Sequence, residues 1–297
     1  MVFWAFILYI IDVICWLASY PKSGNTYLRA LLASYFFTQN GNFNFKILKN
    51  IKYFPHANLF KSYNINTEDE NEVIKNYIHV QENINKKFKK KVLFVKTHST
   101  LEAINNYQFT NLENSIGVIY VVRDPRNIVT SYSNHYQCSL KKSSEDMVSR
   151  ITLKGMEHYD KFVNKVFTHV GSWANNYNSW KDFKKHKKYL LIKYEDLVSN
   201  PDKIFLDVLN FLSEITKSEI KIDKVKLNNV IVSTKFDKLK YLEKKHGFIE
   251  ALKDKNGNNL TFFKYGSKNN WKETLSEDIR EKLEVSFQAE MEELGYL

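Results

Sequence analysis

The stretch Ser19-Tyr20-Pro21-Lys22-Ser23-Gly24-Asn25-Thr26-Tyr27-Leu28-Arg29 decides how this chain is read. It follows an apolar run, Val13-Ile14-Cys15-Trp16-Leu17-Ala18, and precedes a helical spacing of Leu28, Leu31, Leu32, Tyr35 and Phe36. A strand, a tight loop with Lys and Gly, and a helix offer backbone N–H groups at a helix N-terminus, where an anion is stabilised. Lys22 adds a point charge, and Thr26 has a hydroxyl to cap the helix or contact a phosphate. The GxxxxGK[ST] spacing of a Walker A loop is absent. By itself the stretch reads equally well as an ordinary strand-to-helix turn, so its meaning depends on its surroundings.

At 297 residues and 43% hydrophobic content, the chain can bury a full α/β core. Its net charge of +11 suits nucleotides, nucleic acid, sulfated products or an anionic membrane. Clusters such as Lys86-Lys87 and Lys184-Lys185 read as solvated surface, so charge alone selects none of these. Cys15 and Cys138 form no CxxC or Cys/His pattern, which argues against a disulfide framework or zinc site and for a reducing, cytoplasmic setting. No DxD or Walker B-like pattern calls for a metal. Residues 1–18 are apolar except Asp12, nearly a membrane span, yet no Lys or Arg precedes them as in a signal peptide. Asp12 in hydrocarbon would cost about 2.5–3.5 kcal/mol. We expect an apolar extension of open role over 1–12, with membrane contact as its alternative reading, and one domain over 13–297.

The first core strand is expected over 13–19, a helix over 26–38, and irregular covering structure over 40–66. Thr67-Glu68-Asp69-Glu70 opens a helix that closes near Lys86-Lys87. Strands are expected over Lys91–Lys96, Gly117–Val122 and Lys188–Lys193, and Pro125 suits the first position of a helix. A helical region follows over 144–183, with Trp173, Tyr177 and Trp180 read as core. Helices over 202–213, 218–230 and 234–244, a long loop over 245–270 and an amphipathic helix over 276–293 complete the chain. Strands alternating with helices predict an α/β fold: a single domain with a central, mostly parallel sheet flanked by helices and a P-loop-like nucleotide-binding core.

Three strand ends carry polar groups: Tyr20–Thr26, Lys96–His98 and Arg123–Ser131. Ligands bind at the carboxyl ends of strands in open parallel sheets, so these ends should converge. Each group also has a plainer reading. His98 suits a satisfied structural histidine, Arg123-Asp124 a local ion pair, and Tyr194 and Phe236 core packing.

Together these segments resemble the soluble sulfotransferases that use 3′-phosphoadenosine 5′-phosphosulfate (PAPS). Tyr20 to Tyr27 is similar to that family's 5′-phosphosulfate loop, YPKSGTTW. The resemblance implies that Lys22, Ser23, Gly24, Asn25 and Thr26 hold the 5′-phosphate and sulfuryl group. Tyr27 replaces the tryptophan near the adenine. Tyr120-Val121-Val122-Arg123 with Ser131 eight residues later is similar to the 3′-phosphate motif, which gives that phosphate to Arg123 and Ser131. Lys96-Thr97-His98 resembles KTH, whose histidine is the general base. Thr234-Lys235-Phe236 resembles the adenine-contacting TxF segment, and Tyr194 the tyrosine that opens YED. Lys264 to Lys272 is similar to the RKGxxGDWK loop over the 3′-phosphate. Lysine stands there for arginine, tyrosine for lysine and Asn269-Asn270 for Gly-Asp, leaving Gly266 and Trp271-Lys272 as landmarks and Lys264 as a ligand by position. The family's dimerisation pattern KxxxTVxxxE is blurred by Ser276-Glu277, which leaves monomer and homodimer open.

The resemblance implies sulfuryl transfer from PAPS, as co-substrate, to a hydroxyl or amine of a small-molecule, lipid or carbohydrate acceptor. It makes His98 the base, with Lys22 on the bridging oxygen of the departing phosphate and Lys96 orienting the sulfuryl oxygens. Neither a metal nor a nucleic-acid partner is implied. Residues 40–66, 136–165 and 243–263 should line the acceptor. One alternative is a P-loop-type kinase, which needs Mg²⁺ and ATP, whereas Arg123 and Ser131 imply selection for a 3′-phosphate. The other is a non-catalytic basic module with salt-sensitive binding to nucleic acid or membrane. The KTH placement argues against it.

Overall fold

The computed structural model describes residues 13–88, 92–154, 166–254 and 256–297. The apolar extension 1–12, Lys91 of the second expected strand and part of the expected acceptor wall (155–165) lie outside the described residues.

The described strands are β1 (Ile14–Ser19), β2 (Lys52–Tyr53), β3 (Leu93–Thr97), β4 (Ser115–Val122), β5 (Ile151–Lys154), β6 (Phe167–Gly171) and β7 (Tyr189–Lys193). Five of them form a parallel sheet in the order β2-β3-β1-β4-β7, with β1 at its centre. β1 and β4 are buried throughout, as expected of parallel strands covered on both faces. Alternation along β1 sends Trp16 and Ala18 to one core and Cys15 and Leu17 to the other. On the first face Trp16 meets Phe54, Phe109 and Trp180 at centroid distances of 5.7, 5.3 and 6.1 Å. Trp173, Tyr177 and Trp180 are core, as read from sequence.

The helices that frame the site are α1 (Asn25–Phe37), α2 (Pro125–Tyr136), α3 (Trp173–Trp180), α4 (Tyr194–Ser199), α5 (Pro201–Thr216), α6 (Lys224–Thr234) and α7 (Phe236–His246). Pro125 opens α2, and the Asp124 carboxylate caps it by accepting from the Arg126 N–H. α1 starts differently. Gly24 is its N-cap without a side-chain bond, so Thr26, already inside the helix, does not cap it.

Several expectations are corrected. The helical region 144–183 is a helix over Leu140–Val148, then the antiparallel ribbon β5–β6, then α3. Ile151-Thr152-Leu153-Lys154 does alternate apolar with polar, but four residues are too few for that period to stand out. Within 40–66 the two-residue β2 pairs Lys52 and Tyr53 with Val95 and Lys96. The expected helix from Thr67 to Lys87 is two, Glu70–Lys75 and Tyr77–Lys87, and the last helix is divided by the buried Phe287. Among the described residues no helix is long and apolar enough to cross a membrane. Cys15 is buried, Cys138 half-buried, and both are free thiols.

Candidate active site

Register brings the strand ends together: Ala18 of β1 lies beside Thr97 of β3 and Tyr120 of β4. They open into a cavity of about 660 Å³. The first loop contributes Lys22, Gly24, Asn25, Thr26 and Tyr27 to its wall. β3 supplies Lys96 and His98, while β4 and α2 supply Arg123 and Ser131. Tyr194, Phe236, Lys264 and Gly266 also line it. Ser23 and Thr234 do not line it. Ser23 is fully buried with an unpartnered hydroxyl, and the Thr234 hydroxyl donates to the Val230 carbonyl at 2.7 Å.

The loop is shaped by two left-handed residues, Lys22 (φ 67°) and Gly24 (φ 103°). A Cβ on Gly24 would lie 2.3 Å from Cδ2 of Tyr194, so only glycine admits that ring. Asn25 Nδ2 donates downward to the Leu17 carbonyl (2.9 Å) and Ser19 Oγ (3.2 Å), tying the helix start to β1. Among the described residues the N–H groups of Lys22, Gly24, Asn25 and Thr26 have no acceptor. That is an anion cradle at a helix N-terminus.

The Arg123 guanidinium lies 4.3 Å from the Tyr194 ring centroid and donates to the Lys22 carbonyl (3.3 Å) and Ser131 Oγ (3.4 Å). It does not pair with Asp124. That carboxylate is taken by Arg126 at 2.8 Å, which also binds Glu284 and stacks on Trp271. Arg123 is therefore a buried cation with an unpartnered Nε. The divergent 264–272 loop docks here through a residue that sequence reasoning passed over. Asn269 donates to the Asn127 carbonyl (2.6 Å) and Ser131 Oγ (3.3 Å) and accepts from Thr130 (2.6 Å). Lys264 is more exposed and donates to Asn134 Oδ1 at 2.7 Å. At Gly266 (φ 59°) an added Cβ would meet the Phe236 ring at 2.7 Å.

At the other end, His98 Nδ1 lies 2.8 Å from the Ser19 carbonyl. A carbonyl only accepts, so Nδ1 carries the proton and Nε2 keeps its lone pair. Burial, reinforced by neighbouring Lys96, pushes this imidazole down to about 3, so it is neutral. Burial above all, then Lys96 and Arg123, bring Lys22 down to about 7 against the opposing pull of Glu250, and its Nζ sits 3.6 Å from the Phe262 ring centroid. Burial also lowers Lys96. Two further residues were missed from sequence. Glu250 bridges Arg29 Nη1 (2.6 Å) and Lys96 Nζ (3.3 Å); burial opposes its ionisation, but these cations hold its carboxyl well below the usual range. Arg29 stands in the opening stretch without a motif role, and Glu250 is a lone acid in a polar loop, so neither gave a signal. Tyr53, His56, Tyr136, Leu153 and Ile249 also line the wall, on segments expected to face the acceptor. Among the described residues no three His, Cys, Asp or Glu side chains are grouped to hold a metal ion.

The family model described as the sulfotransferase domain matches residues 12–295. The chain belongs to the sulfotransferase domain family. Within it, Sulfotransferase 1 family member D1 of Mus musculus is 24% identical over 200 residues, 67% of this chain and 62% of that protein. The chain thus spans less than two thirds of that relative's length. Flavonol 3-sulfotransferase of Flaveria bidentis is 23% identical over 273 residues, 90% of this chain and 78% of that protein. The crystal structure of mouse sulfotransferase SULT7A1 complexed with PAP superposes with a TM-score of 0.55 at 17% identity, covering 95% of this chain and 85% of that one. The shared feature at that distance is the sulfotransferase fold, a single α/β domain around a parallel sheet.

Proposed function

We propose that the protein transfers a sulfuryl group from PAPS to a hydroxyl or amine of a small-molecule acceptor, with His98 as general base. The observation that carries this reading is the bond from His98 Nδ1–H to the Ser19 carbonyl, which leaves a neutral imidazole with Nε2 as acceptor beside Lys96, in a cavity that Lys22 also lines. The residues suit the nucleotide. Four N–H groups and Lys22 suit a 5′-phosphosulfate, and Arg123 beside Ser131, paired with no carboxylate among the described residues, suits a 3′-phosphate. Tyr27 and Phe236, two rings in the cavity wall, suit contact with a purine. Family membership and the PAP complex of the mouse neighbour support the same nucleotide.

Charge in such an in-line displacement builds on equatorial and bridging oxygens, so positioning and electrostatics suffice without a covalent intermediate. His98 Nε2 accepts the acceptor's proton as its oxygen or nitrogen bonds to sulfur. Lys22 meets the negative charge left on the phosphate oxygen as the old sulfur–oxygen bond breaks, and Lys96 orients the sulfuryl oxygens.

Labelled PAPS supplied with a panel of phenols, alcohols and amines tests the reading. His98→Ala should lower turnover about 10²–10⁴-fold while leaving PAP affinity nearly unchanged. Undiminished turnover in that variant would remove His98 from the role. Preference for ADP with Mg²⁺ would favour a kinase.

A further inference from the structure

Glu250 is the one carboxylate among the described residues lining the cavity, and it lies between two cations. Arg29 projects from α1 with a side chain only 5% exposed, and its contact with Glu250 is the shorter of the two. One carboxylate oxygen is thereby held by a rigid, planar partner, and the other is presented to the Lys96 ammonium at the end of β3. We propose that Glu250, clamped by Arg29, is a positioning residue that keeps the Lys96 ammonium charged and aimed along the His98 side of the cavity. What Lys96 then does rests on the sulfuryl-transfer reading; how it is held rests on these contacts.

A buried ammonium without a counter-charge either loses its proton or withdraws toward water. Among the described residues nothing else facing Lys96 supplies that charge. Arg29 faces it from α1, Lys22 from the first loop, His98 from its own strand end and His135 from α2. The Tyr53 ring of β2 lies 5.4 Å from Nζ, with its hydroxyl bonded to Thr168. Glu243 of α7 is engaged by the N–H groups of Phe262 and Phe263 at 2.6 and 2.9 Å. Without Glu250, Lys96 faces cations, neutral rings and its own desolvation.

The test is Glu250→Gln, read in two ways. Trace acetylation by acetic anhydride across pH, followed by peptide mass spectrometry, reports the titration midpoint of the Lys96 amine whether or not turnover is seen. That midpoint should fall by about one to three pH units in the variant. In the labelled-PAPS assay at saturating PAPS, whose anionic groups hold Lys22 charged, the alkaline limb of kcat should move down with it. Glu250 also faces Lys22, so Lys96→Arg in the Glu250→Gln chain decides between the two lysines: a permanently charged guanidinium should return the limb toward its original position. An unchanged Lys96 midpoint overturns the proposal even if sulfuryl transfer is found. A shifted midpoint in a chain that transfers nothing from PAPS leaves the clamp standing, removes its role in transfer and overturns the transfer reading instead. Should Glu250→Gln fail to fold, Arg29→Lys keeps the charge but loosens the clamp; a smaller drop of the Lys96 midpoint is expected, and none would overturn the proposal.

Discussion

Replacing Arg123 with methionine keeps most of the buried stem and removes the guanidinium. In the folded chain that group has a carbonyl and a hydroxyl as acceptors, at 3.3 and 3.4 Å, and stacks 4.3 Å from the Tyr194 ring centroid. Among the described residues no carboxylate forms an ion pair with it, because Asp124 belongs to Arg126. A 3′-phosphate would therefore meet an uncompensated cation, and one lost charge-assisted bond costs about 1.5–3 kcal/mol. At 1.4 kcal/mol per decade, PAP should bind about 10–150-fold more weakly. ADP lacks the 3′-phosphate and should change by less than about twofold, especially since the variant also removes a positive neighbour of Lys22. Calorimetric titration of both nucleotides into both proteins at one fixed ionic strength measures the difference. Equal losses for PAP and ADP, or none for PAP, would refute the assignment of Arg123 to the 3′-phosphate.

The pH profile should be one-sided. His98 is already neutral, so kcat/KM should show no break near 6.5, and it should fall as pH rises past about 7, where Lys22 loses its proton in the free protein. An acidic limb at the ordinary imidazole value would contradict the buried tautomer. Gly24→Ala forces a Cβ to 2.3 Å from Tyr194 at φ 103°, at a cost of about 1–3 kcal/mol for the backbone alone. Its denaturation midpoint and PAP affinity should fall together, since Tyr194 also carries Arg123. Arg126→Met strands the buried Asp124 carboxylate and frees Glu284, which should destabilise the fold by about 3–5 kcal/mol in urea titration. In conditions where that variant stays folded, its preference for PAP over ADP should narrow, because the Asp124 carboxylate released by Arg126 becomes available to neutralise neighbouring Arg123.

Much of the fold was legible because its signals are local. β1, β3, β4 and β7 are short apolar runs bounded by polar residues, and Asp124-Pro125 is a helix start written in two residues. β2 was not legible, since two residues at a sheet edge carry no periodicity, and the β5–β6 ribbon was too short to stand out from helix. The site was half legible. Lys22, His98 and Arg123 announce themselves at strand ends and Ser131 in the helix that follows, whereas Asn269 gains its place only by docking on α2. Asn25, expected to face the ligand, turns its amide back toward Leu17 and Ser19.

The sequence alone determined that a strand runs into a lysine-and-glycine loop and a helix, that two further strand ends carry His98 and Arg123, and that such ends meet when the sheet is parallel. Tertiary structure decided which charges face one another there. Arg29 and Lys96 meet Glu250 across 221 and 154 residues of chain, and Asp124 chooses Arg126 over its immediate neighbour. Local propensity acts over a few residues, while a buried charge must find its partner wherever the folded path brings one within reach.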